Sequence, residues 1–585
     1  MSSSVTASQP TDYSKWSNAD LIARVSELER QLNAKNAEYQ LPTNTAGAQK
    51  HMAQLRAFNP SKYSTRFIAL KFAYLGQNYN GYECANGNTT PLPTIEEVLW
   101  KALRKGRLIA PLSDEPIEVQ WDAKLRMQTP IVLNWEGCQY SKCGRTDRGV
   151  SAFGQVIGIR VRSNRPLNKS EPELKIDRPG TGGQELPTPD DVENADDELP
   201  GLGPESDVGE EEPFDPIKDE LPYLSILNSI LPQDIRALAW CADPPQNFDA
   251  RFSCGQRRYR YFFTNPAFLP TPGPSGLKDQ NGQDLPHRNG YLDIAAMQEA
   301  CSYFVGLHDF RNFCKIDESK QMPNCERRVL HAVINDVSQS DGPHFVGKTP
   351  ELAPNPGVSN VPFATGDGSQ AIANGPKVYC FEVHGTAFLW HQIRCMVAIL
   401  FLIGQGLEKP SLVKELLDIQ RTPGRPMYEM ASDAPLVLWD CIFPETDRDS
   451  PEDAIDWIYA GDARALEAVN TKSDGKYGLM GTVDQVWNIW RKCKIQEVLA
   501  AGLLDLAAGQ GDRSSLERGG LRFPNDSQRS QKIFDGSDFG RLVGKYTPVM
   551  QKQKMESLEV QNARYRAGKG SRKVLRKKTD VTNVE

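Results

Sequence analysis

The chain has 585 residues, a net charge of −7 and 12 cysteines. This length is too great for one simple domain and leaves ample capacity for a hydrophobic core. The longest apolar run, residues 396–403, is too short to cross a bilayer, and residues 1–30 lack the apolar core of a signal peptide. The cysteines form neither a CxxC pair nor a cluster at metal-ligand spacing. The composition therefore predicts a soluble intracellular protein with reduced cysteines and no membrane partner.

The negative charge is concentrated in one segment. Residues 171–220 hold 18 Asp and Glu against 3 Lys and Arg, a balance of −15 in a chain whose total is −7, so the rest of the chain carries +8. A segment rich in acids, Pro and Gly cannot bury enough apolar surface to order itself. We therefore expect residues 165–220 to form a disordered acidic insert on a mildly basic body.

The N-terminal segment divides into two parts. Residues 1–16 are expected to be disordered, and residues 17–36 are predicted to form a short coiled coil. Its apolar positions repeat at 4-3-4 spacing: Leu21, Val25, Leu28 and Leu32. Packing of this stripe on the body of the same chain is the alternative, because helices this short are marginal without a partner surface.

Residues 60–270 are predicted to form one α+β half and residues 271–445 a second. In the first half, Thr94 and Glu97 form a capping box that starts a helix reaching about Leu108. Strands are predicted in the first half at 66–75, 131–135, 155–162, 236–242 and 257–264. In the second half, helices are predicted at 294–305, 389–403 and 411–420, and strands at 328–338, 377–384 and 436–443. A flexible Gly/Pro/Asn-rich insert is expected at 340–375.

Residues 446–585 form a C-terminal extension. A helix with an apolar face is predicted in it from Val486, Trp490, Cys493 and Leu499. Residues 564–578 carry eight Lys and Arg and no acid. This run is a solvated tail in one interpretation, and a nuclear import signal or an RNA-contacting arm in the other.

The most informative segment is 142–157, KCGRTDRGVSAFGQVI. In it Asp147 lies between Arg145 and Arg148, with glycines at 144, 149 and 154. A carboxylate between guanidiniums is expected to stay ionised, which suits a nucleophile better than a proton donor. On local composition alone, a salt-bridged surface turn explains the same residues.

The pattern G-R-T-D-x-G-V-x-A-x-G-Q-V, at residues 144–156, resembles the signature of the TruA family of tRNA pseudouridine synthases. Three further blocks occur in the family's order within residues 66–443: 74–99, 231–261 and 387–394. The resemblance implies two α+β halves that share a mixed sheet around a central cleft. It also implies an isomerase that converts uridine to pseudouridine in tRNA and acts as a homodimer. Because the reaction changes no oxidation state, we expect no redox cofactor, nucleotide or metal.

Several features resemble the eukaryotic branch of the family, which acts at positions 38 and 39 in the tRNA anticodon stem-loop. Ser151 stands where bacterial relatives often carry histidine, and residues 428–431 precede the segment 435–441 as in that branch. The resemblance is weak over the C-terminal extension. A family member with other tRNA targets and a non-catalytic tRNA-binding protein remain alternatives. The site of action is expected to be the nucleus, the cytoplasm or both.

The resemblance assigns three catalytic positions. Asp147 corresponds to the family's catalytic aspartate, and Arg394 to the basic residue beside it. A buried Asp147–Arg394 ion pair is predicted, because an arginine on so apolar a helix would be costly if unpaired; an arginine that extends to solvent at the helix start is the alternative. Tyr259 corresponds to a tyrosine that packs on the target base and has been considered as a proton acceptor. On the alternation of its strand alone, an ordinary cross-strand aromatic face is equally consistent.

Three arginines are predicted to bind the substrate. Arg145 matches a residue thought to help expose the target nucleotide, and Arg148 and Arg258 are placed with it by the motifs. His391 is left out of this set, since a lone histidine in a helix is more often a packing residue.

Overall fold

The computed structural model describes residues 60–110, 121–122, 127–128, 131–167, 213–268, 290–338, 343, 376–445, 449–466, 479–509, 531–538, 541–543 and 546–568. The predicted disordered N-terminus and coiled coil lie outside these residues. So do most of the acidic insert, nearly all of the 340–375 insert and the basic tail beyond 568.

The first half supplies strands β1 to β7 and two helices. The helices are α1 (Ile95–Lys105) and α2 (Tyr223–Ile230). The strands are β1 (Ser64–Tyr74), β2 (Trp121–Asp122), β3 (Met127–Gln128), β4 (Ser141–Lys142), β5 (Ser151–Ser163), β6 (Ile235–Cys241) and β7 (Gln256–Asn265). The predicted cap is present, because the Thr94 side chain accepts a hydrogen bond from the Glu97 backbone N at 3.3 Å.

The second half supplies α3 (Ile294–Ser302), α4 (Gln392–Gly404) and α5 (Leu412–Leu417). Its strands are β8 (Gly306–Asp309), β9 (Glu326–Asp336), β10 (Lys377–Gly385) and β11 (Leu436–Ile442). The C-terminal extension adds β12 (Ile458–Tyr459), α6 (Ala463–Leu466), α7 (Leu479–Gly509), β13 (Gln531–Ile533), β14 (Arg541–Val543) and a helix at residues 558–568.

One ten-stranded mixed sheet joins the two halves, in the order β12-β6-β1-β5-β11-β7-β10-β9-β8, with β4 paired to β5. Strand β11 is the link, since it pairs in parallel with β5 and antiparallel with β7. The last strand of the second half is thus inserted between two strands of the first. The predicted α+β class with a shared mixed sheet is confirmed.

Two buried clusters flank this link, one in each half. Helix α4 contributes a nearly continuous apolar stretch, which explains why residues 393–403 are buried almost without exception. Tyr259 on β7 packs against both clusters. The boundary between the halves therefore lies at β5, β11 and β7, where the motif blocks meet.

One local prediction is wrong. Residues 131–135 form no strand: Ile131 and Leu133 are buried, but the Leu133 backbone N donates to the side chain of Asn86 instead of to a strand. The helix predicted in the C-terminal extension is present as α7, and its apolar residues Val486 and Leu499 are exposed. In the described residues, no helix is long and apolar enough to span a membrane.

Candidate active site

The loop at residues 143–150 is held by side chains from β1 and β5. The Gly144 backbone N donates to Gln155 Oε1 at 3.1 Å, and Gln155 Nε2 donates back to the Gly144 carbonyl at 2.9 Å. The Thr146 hydroxyl lies 2.7 Å from the Tyr74 hydroxyl. Gln155 and Tyr74 are both buried, so these bonds fix the loop against the sheet rather than against solvent. The motif glutamine and threonine therefore shape the loop that carries Asp147.

Glycines in two motif blocks allow close backbone approach at this loop. Gly81 has φ +86°, and a Cβ there would lie 2.9 Å from the Thr146 carbonyl oxygen. A Cβ on Gly76 would lie 2.1 Å from the carbonyl oxygen of Val150, which no side chain could tolerate. Gly149, within the loop, has φ +78°. These contacts explain why the Y-L-G and Y-N-G-Y segments accompany the aspartate motif.

Asp147 faces the start of α4. Its Oδ2 lies 3.4 Å from Nε2 of His391, and 27% of its side-chain surface is exposed. His391 precedes the helix with φ +60°, a left-handed conformation that is uncommon for a residue other than glycine. Its Nδ1 is buried and has no hydrogen-bond partner among the described residues. His391, which sequence reasoning treated as a packing residue, thus contacts Asp147, the predicted catalytic aspartate.

The predicted Asp147–Arg394 ion pair is absent among the described residues. Arg394 Nη1 lies 3.7 Å from Oδ2 of Asp433, and its Nε donates to the Ala431 carbonyl at 2.8 Å. A Cβ on Gly149 would lie 3.4 Å from Asp433 Oδ1, so this carboxylate packs on the motif loop. The need for a partner was inferred correctly, but its identity depends on how residues 426–435 fold over α4. Arg394 therefore contacts Asp433, and Asp433 in turn packs against Gly149 of the motif loop.

Tyr259 lies at the junction of the two halves. Its ring meets Phe388 edge to face, with centroids 5.3 Å apart and an interplanar angle of 85°. Burial raises the pKa of its phenol well above the ordinary range, and the neighbouring thiols of Cys441 and Cys143 add to the rise. The phenol is therefore protonated at neutral pH, which suits packing on a base better than accepting a proton.

The three arginines predicted to bind substrate differ in placement. Arg145 pairs with Glu83 at 3.0 Å and Arg148 is exposed, both on the motif loop. Arg258 lies on the opposite sheet face from Tyr259, because successive side chains in a strand alternate, and it donates to the Pro451 carbonyl at 2.9 Å. The structure therefore does not bring it to Asp147.

Arg257, which was not singled out from sequence, lies on the Tyr259 face instead. Its Nη2 donates to the Cys143 carbonyl at 3.1 Å, at the start of the motif loop. Side chains alternate along β7, so Arg257 shares the face of Tyr259 and Arg258 does not. The sequence could have shown this difference between the two arginines once Tyr259 was taken to face the site.

An exposed aromatic ring adjoins the Asp147–His391 contact. Trp390 is 40% exposed, and its ring centroid lies 4.7 Å from that of His391. The ammonium groups of Lys315 and Lys320 lie 4.7 and 5.4 Å from its ring centroid. An exposed indole flanked by cations is a surface on which a nucleic acid base can stack near a phosphate.

These residues form a site suited to an unstacked nucleotide. A partly exposed carboxylate lies on a loop that buried hydrogen bonds hold, a protonated phenol lies at the junction of the halves, and two lysines lie over the neighbouring indole. A base removed from its stack needs such a pocket, and its phosphates need such cations. The arrangement can place Asp147 against a ribose or a pyrimidine.

Comparison with known proteins gives the same assignment. A family model described as tRNA pseudouridine synthase matches residues 300–444. A tRNA pseudouridine(38/39) synthase of Saccharomyces cerevisiae is 33% identical over 96% of this chain and 93% of its own length. The enzyme of that name from Bos taurus is 31% identical over 94% and 87%, and the one from Homo sapiens 34% over 76% and 68%.

The yeast similarity spans nearly the whole chain, so the expectation that the resemblance fades in the C-terminal extension is wrong. The C-terminal extension packs on the body of the protein, which accounts for its similarity to the yeast enzyme. Four of its residues belong to the buried cluster of the second half: Ile533, Phe534, Val549 and Leu558. The family resemblance inferred from the four motif blocks is confirmed. This chain belongs to the TruA-type family of tRNA pseudouridine synthases.

Proposed function

We propose that this protein isomerises uridine to pseudouridine at positions 38 and 39 of tRNA, with Asp147 as the nucleophile. The supporting observation is the loop at 143–150, which presents one partly exposed carboxylate while buried hydrogen bonds from Tyr74 and Gln155 hold it at Thr146 and Gly144. The relatives whose names specify positions 38 and 39 support the choice of target.

The reaction breaks the glycosidic N1–C1′ bond, rotates the uracil and joins its C5 to C1′; the proton at C5 is lost to the medium and N1 takes up a proton, so the product is an isomer of the substrate. No electrons leave the substrate. Asp147 supplies the carboxylate that this exchange requires, and His391 holds it at Oδ2. Tyr259 provides an apolar wall, and its protonated phenol is not the base. Arg145 and Arg148 lie on the same loop, where they can meet the phosphates beside the target.

The test is site-resolved pseudouridine mapping on unmodified tRNA incubated with the purified full chain. We expect modification at positions 38 and 39 with the wild type and none with Asp147→Asn, because an amide of equal size is a poor nucleophile. tRNA affinity should stay within about tenfold, since phosphate contacts dominate binding. Asp456→Asn is the matched control, because Asp456 is an exposed aspartate outside the site.

Near-normal turnover by Asp147→Asn would exclude this nucleophile. Modification at other uridines only would retain the activity and reject the proposed target. Tight tRNA binding by the wild type with no conversion would favour the non-catalytic alternative.

We also propose that the protein is a homodimer that works in the nucleus, the cytoplasm or both. Exposed apolar residues on α7, including Val498 and Leu503, are compatible with an interface. Light scattering at micromolar concentration should give twice the monomer mass, and a monomer would reject the dimer. Imaging of a fluorescent fusion, with and without residues 564–578, tests the compartment.

A further inference from the structure

Three cysteines that are far apart in sequence meet behind the motif loop. Cys143 follows β4, Cys254 precedes β7, and Cys441 lies on β11. All three are buried, and their sulfur atoms lie within 4.8 Å of one another. Those of Cys143 and Cys441 are 3.2 Å apart. Sequence spacing could not reveal this group, because each member comes from a different strand region.

A positive charge accompanies the cluster. Arg257 donates to the carbonyls of Cys143, Arg251 and Thr386, and no described carboxylate forms an ion pair with it. Its side chain is only partly exposed, and a guanidinium held away from water is stabilised by a nearby anion. The acidic groups near it among the described residues are the three thiols and the Tyr259 phenol, and a bound metal would convert the thiols to anions.

A bound metal ion would change the charge of this cluster. A thiolate is the form of cysteine that binds metals. A neutral thiol cluster would leave the charge of Arg257 uncompensated.

We infer that Cys143, Cys254 and Cys441 bind one zinc ion as thiolates, with an oxygen donor from solvent or the main chain as the fourth ligand. Three thiolates and Zn²⁺ carry a net charge of −1, which Arg257 neutralises. Tetrahedral zinc with Zn–S bonds of about 2.3 Å places sulfurs about 3.8 Å apart, so the group needs only small shifts to accept the ion. No fourth His, Cys, Asp or Glu joins the group among the described residues.

The ion has a structural role in this arrangement. Cys143 immediately precedes Gly144, the first residue of the aspartate motif, while Cys254 and Cys441 anchor β7 and β11. Zinc would therefore tie the motif loop to the strands on which the two halves join. It supplies no step of the isomerisation, and its ligand Cys143 lies four residues before Asp147.

The experiment is metal analysis of the full chain, purified without immobilised metal from zinc-supplemented medium, by inductively coupled plasma mass spectrometry. We expect about one zinc per chain in the wild type and background levels in Cys254→Ala. Cys301→Ala is the matched control, because Cys301 is also fully buried but lies outside the cluster, and it should keep the zinc.

If Cys254→Ala fails to fold, zinc K-edge X-ray absorption of the wild type identifies the ligand atoms directly. Three sulfur neighbours at about 2.3 Å would support the site, and a shell of nitrogen and oxygen alone would overturn it. Background zinc in the wild type even after zinc addition, or a Cys143–Cys441 disulfide in peptide mapping, would also overturn it. These readouts need no tRNA, so they are independent of the proposed activity.

Discussion

Nε2 of His391 lies 3.4 Å from Oδ2 of Asp147, and this contact connects the start of α4 in the second half with the motif loop of the first. The left-handed backbone of His391 aims the imidazole at the loop instead of along the helix. Because the carboxylate is otherwise partly open to solvent, the imidazole is the neighbour that limits its orientation. The two halves thus each contribute one side chain to this contact.

We expect His391→Asn to lower kcat about 10- to 100-fold while tRNA affinity changes little. Asparagine tolerates the left-handed conformation, so the substitution removes the imidazole without forcing the backbone to move. A hydrogen bond to a charged group contributes about 1.5–3 kcal/mol, which sets the size of the effect. Single-turnover kinetics and a separate tRNA binding assay check this prediction. An unchanged kcat would show that the contact does not orient Asp147 during turnover.

Local patterns were sufficient for most of the fold but not for the site contacts. The Thr94 cap and the alternation in β7 depend on neighbours in sequence, and both were predicted correctly. The partner of Arg394 depends on Asp433, which a separate segment brings over α4. The orientation of His391 depends on a backbone angle that its residue type does not favour. These contacts form between segments that are far apart in the chain. A local pattern in the sequence does not predict which segments will meet.

Arg394 and Asp433 should act as one unit. Arg394→Ala would leave Asp433 unpaired against the Gly149 backbone, and Asp433→Asn would leave Arg394 held only by the Ala431 carbonyl. We expect each change to lower turnover and the double variant to be little worse than Arg394→Ala. The coupling free energy should be about 0.5–3 kcal/mol, measured from kcat/KM in a double-mutant cycle.

Two results would contradict this coupling. Additive effects would show that the two residues work separately. A far larger loss for Arg394→Ala than for Asp433→Asn would show that Arg394 pairs with Asp147 once tRNA is bound, as the family resemblance implies.

Tyr259→Phe should keep most of the activity, whereas Tyr259→Ala should lose it. Burial raises the pKa of this phenol, so the hydroxyl is protonated in wild type throughout pH 6–9 and its removal should not change the shape of the pH–rate profile. Truncation to Ala removes the edge-to-face contact with Phe388 and leaves a cavity, at a cost of about 3 kcal/mol in unfolding free energy.

Urea denaturation and pH–rate profiles of both Tyr259 variants check these expectations. A profile in which Tyr259→Phe loses a basic limb present in wild type would assign the phenol a proton-transfer role and reject the packing role.

Trp390 should contribute to tRNA binding through stacking. Its exposed ring adjoins His391 and lies beneath two lysine ammonium groups, so a base that stacks on it would lie near both the Asp147–His391 contact and a favourable site for phosphate. Base stacking on an aromatic side chain contributes about 1–3 kcal/mol, so Trp390→Ala should weaken tRNA binding by about 5- to 150-fold. Trp390→Phe should retain part of this affinity, because a smaller ring still offers an aromatic face.

Tyr459→Ala is the control, since Tyr459 is similarly exposed but lies on β12 at the edge of the sheet. Filter binding at fixed salt gives the affinities, and equal losses for Trp390→Ala and Tyr459→Ala would show that the ring beside His391 has no special part in holding the RNA.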